Sequence, residues 1–239
     1  MTIDVKNITV RFGGVTSLDD LSVSFPGGTC GLIGPNGAGK TTFFNVMSGY
    51  VTPTSGSVEV DGTQLIGMPD FRRARWGLRR TFQTEQAIEG LTVYENVLTV
   101  YEHSSSAGRS QAKSAVDDAI EFTGLTHVRD DLVRTLPAKE RRFIELARAV
   151  VGNPKVVLLD EPAAGLPDEE TQELSAIIRS IPERSDAIVV LVDHDMALVQ
   201  ACCHWSAVLD FGRLLASGPT QDVLRNEQVL AAYLGAGAE

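Results

Sequence analysis

Apolar residues recur at close to every second position at the start of the chain: Ile3, Val5, Ile8 and Val10, then Leu21, Val23 and Phe25. Gly13-Gly14 and Pro26-Gly27-Gly28 punctuate them, so the pattern predicts half-buried strands joined by turns. Ser57-Val58-Glu59-Val60, with Asp61-Gly62 as its turn, predicts another strand pair. A short helix is predicted from Thr41 to Tyr50, stopped by Gly49 and Pro53. From about Thr92 to Val151 the spacing becomes helical, with Val93, Val97, Val100 and Tyr101 on one face and Ala115, Ala119 and Phe122 on another. His103-Ser104-Ser105-Ser106-Ala107-Gly108 reads as a polar loop between them. Two continuous apolar runs follow, Lys155 to Asp160 and Ala187 to Asp193, separated by a helix from Asp168 to Ser180. Runs of this kind predict central parallel strands covered on both faces. A late hairpin is expected around Phe211-Gly212, joining Ala207–Asp210 to Arg213–Ala216, and one amphipathic helix from Thr220 to Leu234.

Composition narrows the class. The 239 residues are 43% hydrophobic and 22% charged, ordinary for a globular protein with one large domain or a core and a satellite. The net charge of -10 argues against nucleic acid or an anionic lipid surface as the main partner. Arg72, Arg73, Arg75, Arg79 and Arg80 form a local basic cluster, whose first three members read as a solvated helix face. The N-terminus has no basic region followed by an apolar core, so no signal peptide is expected. No stretch approaches the length of a membrane span. Cys30, Cys202 and Cys203 lack metal-ligand spacing and read as packing residues in a reducing compartment.

The chemistry is concentrated at strand ends. Gly34-Pro35-Asn36-Gly37-Ala38-Gly39-Lys40-Thr41 spells G-x-x-x-x-G-K-T after the apolar run Cys30-Gly31-Leu32-Ile33, and Thr42 follows. Glycines let successive backbone N–H groups turn inward around β- and γ-phosphates, while the helix N-terminus and Lys40 add positive charge. Thr41 would place its hydroxyl on Mg²⁺. The two core strands end in Asp160-Glu161 and Asp193-His194, and in open parallel sheets ligand-handling side chains gather past such carboxyl ends. Asp160 suits Mg²⁺, Glu161 suits polarisation of an attacking water, and His194 suits the γ-phosphate or that water.

With these residues in place, from about Ile3 to Leu234, the chain resembles the ATP-binding subunits of ABC transporters. The resemblance implies an α/β P-loop NTPase of the ABC ATPase type: a mainly parallel core sheet, an antiparallel β subdomain and an inserted α-helical subdomain. It implies one domain over 1–239, with the core and β subdomain in 1–91 and 152–239 and the helical, signature-bearing part in 92–151. ATP and Mg²⁺ are the implied cofactors. Val156 to Pro162 resembles the Walker B strand with catalytic Glu161. Gln83, in Arg80-Thr81-Phe82-Gln83, is similar to the family glutamine that touches Mg²⁺ and senses the transmembrane subunit. His194 matches the switch histidine, and Phe12 stands where the family stacks an aromatic ring on adenine. Arg11 to Val15, the Arg80–Gln83 run leading to Leu91–Val97, and Glu161 to Leu166 are similar to the branch serving branched-chain amino acids, urea, short amides and organic acids. The resemblance implies an importer fed by a substrate-binding protein, on the inner face of the cell membrane beneath two permease subunits.

One departure stands out. Where the family carries L-S-G-G-Q, this chain reads Leu136-Pro137-Ala138-Lys139-Glu140. The serine and both glycines are gone, Pro137 removes an N–H, and Lys139 puts a cation where backbone should approach. An asymmetric heterodimer follows as the expectation, in which this chain's Lys40, Gln83, Asp160, Glu161 and His194 work with a second ATPase subunit's signature. A rival idea has Lys139 itself serve the γ-phosphate. The alternatives to transport are a non-transport ABC ATPase scaffold and a mainly regulatory ATP-binding subunit.

Overall fold

The computed structural model describes residues 1–104 and 109–235. Along the chain run β1 (Ile3–Phe12), β2 (Val15–Phe25), β3 (Thr29–Ile33), α1 (Lys40–Ser48), β4 (Ser55–Val60), β5 (Thr63–Gln64), α2 (Asp70–Trp76), β6 (Leu78–Arg80), α3 (Val93–Ser104), α4 (Arg109–Phe122) and α5 (Ala138–Val150). Then follow β7 (Val156–Asp160), α6 (Asp168–Ser185), β8 (Ile188–Val192), α7 (Met196–Cys202), β9 (Trp205–Asp210), β10 (Arg213–Pro219), α8 (Thr220–Val223) and α9 (Glu227–Gly235). Residues 105–108 of the expected polar loop lie outside the described residues.

The strands form two sheets. One is antiparallel, in the order β2-β1-β4-β5; the other runs β10-β9-β3-β8-β7-β6 and is parallel except for its edge strand β10. β3, β7 and β8 are buried at every residue, which is why their sequences are continuous apolar runs rather than alternations. Parallel register aligns Asp160 with Val192 at the ends of β7 and β8. Both expected hairpin turns form, with positive φ at Asp61 and Gly62 and again at Phe211 and Gly212, the conformation that a two-residue turn between twisted strands requires.

Two apolar clusters fill the molecule. Phe25, Phe43, Phe44 and Leu32 pack between the antiparallel sheet, α1 and one face of the parallel sheet. Val97, Ile144, Leu174 and Val189 belong to the other cluster, which joins α3, α5 and α6 to the opposite face. The start of α3 is fixed by a reciprocal cap: Glu95 Oε2 accepts from the Thr92 N–H at 2.8 Å, while the Glu95 N–H donates to Thr92 Oγ1 at 3.2 Å.

Three expectations need correction. The tail is not one helix: Asn226 Oδ1 accepts the N–H of Gln228 at 2.9 Å, capping α9 as a separate element after α8. α6 continues past Ser180 and through Pro182, ending only where Asp186 adopts a left-handed conformation at φ 54°. Of the three arginines expected on a solvated helix face, Arg72 and Arg75 are exposed but Arg73 is not. Arg73 is buried and donates to the carbonyls of Val46, Met47 and Met68 at 2.5, 2.8 and 2.8 Å. It thereby satisfies the Met47 carbonyl left open at the end of α1 and supplements the Gly49 N–H on that of Val46. Arg79 is also buried, donating to the carbonyls of Ala74 and Leu78.

Candidate functional site

Past the carboxyl end of β3, residues 34–39 turn sharply before α1 begins at Lys40. Two glycines are required by space as well as by φ. A Cβ on Gly34 (φ 149°) would lie 2.2 Å from the Leu209 carbonyl oxygen, and one on Gly39 (φ 103°) would lie 2.8 Å from that of Ser17. The loop is thus wedged between β2 and the end of β9, which fixes the direction in which its N–H groups point. Lys40 folds back along the loop, its Nζ donating to the Gly34 and Pro35 carbonyls at 2.6 and 2.9 Å. Burial lowers its pKa, an effect opposed by the nearby carboxylates of Glu161 and Asp160.

A cavity of about 180 Å³ opens over the loop, lined by Asn36, Gly37, Ala38, Gly39, Lys40, Thr41, Thr42, Glu161 and His194 among others. Residues more than a hundred positions apart in sequence therefore face one space. His194 Nε2 lies 2.8 Å from Glu161 Oε1, and Gln83 Nε2 donates to Glu161 Oε2 at 2.8 Å. Both oxygens of the Glu161 carboxylate are engaged. Its backbone stands at φ 48°, unusual for a residue with a Cβ, and its N–H donates to the Val192 carbonyl at 2.8 Å. That bond extends the β7–β8 ladder by one residue and turns the side chain over the loop.

Asp160 sits behind this rim, nearly buried. Its Oδ2 receives Arg80 Nη2 at 3.0 Å, and its N–H donates to Thr81 Oγ1 at 3.1 Å. Burial raises its carboxyl pKa, with the Arg80 hydrogen bond pulling the other way. A hard divalent cation takes oxygen ligands and is commonly held by one or two protein groups plus phosphate oxygens. The Thr41 hydroxyl, the Asp160 carboxylate and the Gln83 amide are donors of the right kind, so the residues present fit Mg²⁺ beside a nucleotide. Among the described residues no three His, Cys, Asp or Glu side chains gather into a cage that would suit a transition metal instead.

Other expected site residues stand apart. Phe12 is 53% exposed at the β1–β2 turn, paired with Val15, and is not among the residues lining the cavity. Gly34 and Pro35 belong to the loop but not to its open face. Two residues went unassigned in the sequence: Ser17, whose Oγ lies 2.7 Å from Thr42 Oγ1 on the cavity wall, and Arg80 on Asp160. Nothing local marks Ser17, which reaches the loop only because β2 packs across it.

The altered segment is also visible. Pro137 precedes α5 with no side-chain cap on the helix. Lys139 Nζ reaches Glu173 Oε2 on α6 at 2.5 Å, a contact that raises the lysine pKa. Among the described residues no helix is long and apolar enough to cross a membrane.

The family model described as ABC transporter matches residues 18–164, and that described as branched-chain amino acid ATP-binding cassette transporter matches residues 213–239. The chain is 34% identical to the high-affinity branched-chain amino acid transport ATP-binding protein BraF of Pseudomonas aeruginosa, over 98% of this chain and 97% of that one. It is 35% identical to the lipopolysaccharide export system ATP-binding protein LptB of Haemophilus influenzae, over 86% of this chain and 85% of that one. Among solved structures, the ADP conformation of an ATP-binding cassette of an ABC transporter superposes with a TM-score of 0.88 at 25% identity, covering 98% of this chain and 99% of that one.

Proposed function

The chain belongs to the ABC transporter family as one of its ATP-hydrolysing subunits, and we propose that it powers uptake of branched-chain amino acids or a related small polar solute. The observation carrying the ATPase assignment to particular residues is the convergence of Lys40, Glu161 and His194 on one cavity. In this reading the loop N–H groups and Lys40 bind the β- and γ-phosphates, and the exposed Phe12 ring stacks on adenine. Thr41, Asp160 and Gln83 hold Mg²⁺, which when bound neutralises charge on the phosphates. Glu161 accepts the proton of the attacking water, and His194 orients that carboxylate and the γ-phosphate.

Uptake is supported by the likeness to BraF and by the match of residues 213–239 to the branched-chain family. The likeness to LptB keeps export as the second reading. The partners implied are two permease subunits, a substrate-binding protein and a second ATPase subunit, with this chain on the cytoplasmic face of the membrane. Residues 92–151 would form the helical part that faces the partner ATPase. The uncapped α5 start and the engaged Lys139 support an asymmetric heterodimer in which this segment serves the partner's nucleotide poorly.

Reconstitution in vesicles with two permease subunits of the same family and a substrate-binding protein tests this. ATP-dependent accumulation of a branched-chain amino acid, stimulated by the binding protein, is expected. ATP hydrolysis stimulated by a lipid substrate and indifferent to any binding protein would overturn it.

A further inference from the structure

Arg80 is a charged side chain with no business at the surface: it is 6% exposed and lies between three elements. It leaves the carboxyl end of β6, next to β7 in parallel register, with Arg80 opposite Leu158. One nitrogen of its planar fork, Nη2, donates to Asp160 Oδ2 at 3.0 Å; the other, Nη1, donates to Asn45 Oδ1 on α1 at 2.7 Å. The guanidinium lies over the rings of Phe44 and Phe82, 5.5 and 4.9 Å from their centroids. Nη1 also reaches Ser48 Oγ on α1 at 3.4 Å, so two aromatic faces and three oxygen acceptors leave that plane little freedom to rotate.

The consequence falls on Asp160. A carboxylate at the end of a strand can turn about its last two torsions. Here Oδ2 is fixed by Arg80 and the backbone N–H by Thr81, so the remaining oxygen, Oδ1, has a set direction. Through Asn45 the same guanidinium ties Asp160 to α1, the helix whose first residues are Lys40 and Thr41. Two of the three oxygen donors for the cation, Thr41 and Asp160, come from different elements, and Arg80 links Asp160 to the helix that carries Thr41.

We propose that Arg80 is a positioning residue for the divalent cation, holding Asp160 in register with α1 so that Asp160 and Thr41 present their oxygens together. The inference rests on the assignment of Asp160 as a metal donor. Arg80 does not touch the cation. Its positive charge opposes cation binding, and the preset geometry of Asp160 outweighs that opposition. Partners that orient metal ligands are worth about 10- to 100-fold in metal affinity.

The test measures binding rather than turnover. A fluorescent ATP analogue is titrated onto the full chain in EDTA, and then Mg²⁺ is titrated at fixed nucleotide. Arg80→Met is expected to leave the metal-free nucleotide affinity unchanged and to raise the half-saturating Mg²⁺ concentration about tenfold. Arg80→Lys, which keeps the charge but cannot bridge both acceptors, is expected to recover little of that shift. Asn45→Ala leaves Arg80 and its aromatic contacts in place and is expected to shift the Mg²⁺ requirement in the same direction by about threefold; it decides the question if the Arg80 variants do not fold. An equal loss of nucleotide affinity with and without Mg²⁺, or no shift in any of these variants, overturns the proposal. Asp160→Asn separates the two levels. If it raises the Mg²⁺ requirement and the Arg80 and Asn45 variants do not, only the role of Arg80 is wrong; if Asp160→Asn leaves it unchanged, the metal assignment itself fails.

Discussion

His194 Nε2 and Glu161 Oε1 lie 2.8 Å apart although β8 and β7 deliver them from strand ends more than thirty residues apart in sequence. Gln83 holds the second carboxylate oxygen at 2.8 Å, so Glu161 is restrained from both sides before any water is positioned. In the proposed function a carboxylate so restrained serves proton acceptance over the phosphate loop rather than binding of the phosphates, whose negative charge it would repel.

Glu161→Gln should therefore retain ATP binding and stop turnover. An amide keeps the shape and the contacts of the side chain but accepts a proton poorly, and a loss of at least about a hundredfold in phosphate release is expected. Phosphate release at the parental rate would remove Glu161 from this role. His194→Ala should lower turnover while leaving nucleotide affinity within about twofold, because in the proposed reading it orients Glu161 for the chemical step while the loop and Lys40 carry ground-state binding.

The segment Pro137-Ala138-Lys139 bears on the heterodimer. Replacement by Ser-Gly-Gly restores a hydroxyl and close backbone approach at the start of α5 and removes the Lys139–Glu173 contact. In the assembled pair turnover should rise, since one restored phosphate contact is worth about 3 kcal/mol at the transition state. A fall in turnover would show that Lys139 itself serves the γ-phosphate. This chain alone should hydrolyse little and gain activity on addition of the partner ATPase.

Arg73 contributes to stability away from the chemistry. Arg73→Met leaves the carbonyls of Met47 and Met68 without their side-chain donor in a buried setting, and that of Val46 with the Gly49 N–H alone. A loss of about 3 kcal/mol is expected in urea unfolding, with the slope unchanged. An unfolding midpoint equal to the parent would mean that water or backbone adjustment replaces all three bonds.

The thiols should be inert in the folded protein. Burial pushes Cys30 up to about 12, and raises Cys202 and Cys203 as well. Because the folded value of Cys30 lies above its unfolded value of 9.0, its contribution to stability is intact below pH 9 and is lost as pH rises toward about 12. A maleimide at pH 7.5 should label none of the three without urea and all three with it. Rapid labelling of the native chain would show that one of these sites opens.

Much of this was legible in the chain because it depends on short-range rules. The runs Val156–Asp160 and Ile188–Val192 announce strands covered on both faces, since every residue in them before the terminal Asp160 is apolar. The glycines at 34 and 39 announce the loop, since a Cβ there collides with backbone. The cap between Thr92 and Glu95 was present as Thr-x-x-Glu and could have dated the start of α3. Arginines misled for the opposite reason. Charged side chains are seldom buried, and two of the three carbonyls that Arg73 meets belong to residues over twenty positions away. The break in the tail was equally hidden, because Asn226 caps α9 only through its own side-chain geometry.

The amino-acid sequence by itself determined the phosphate loop, the apolar strands and the acids and histidine that follow them, because turn sterics and burial of a strand act over a few residues. Only the tertiary structure decided which atoms meet. The order β3-β8-β7-β6 brings Gln83 to Glu161 across 78 positions and Arg80 to Asp160 across 80. Strand order is a property of how both faces of the sheet are covered, and no local pattern encodes it.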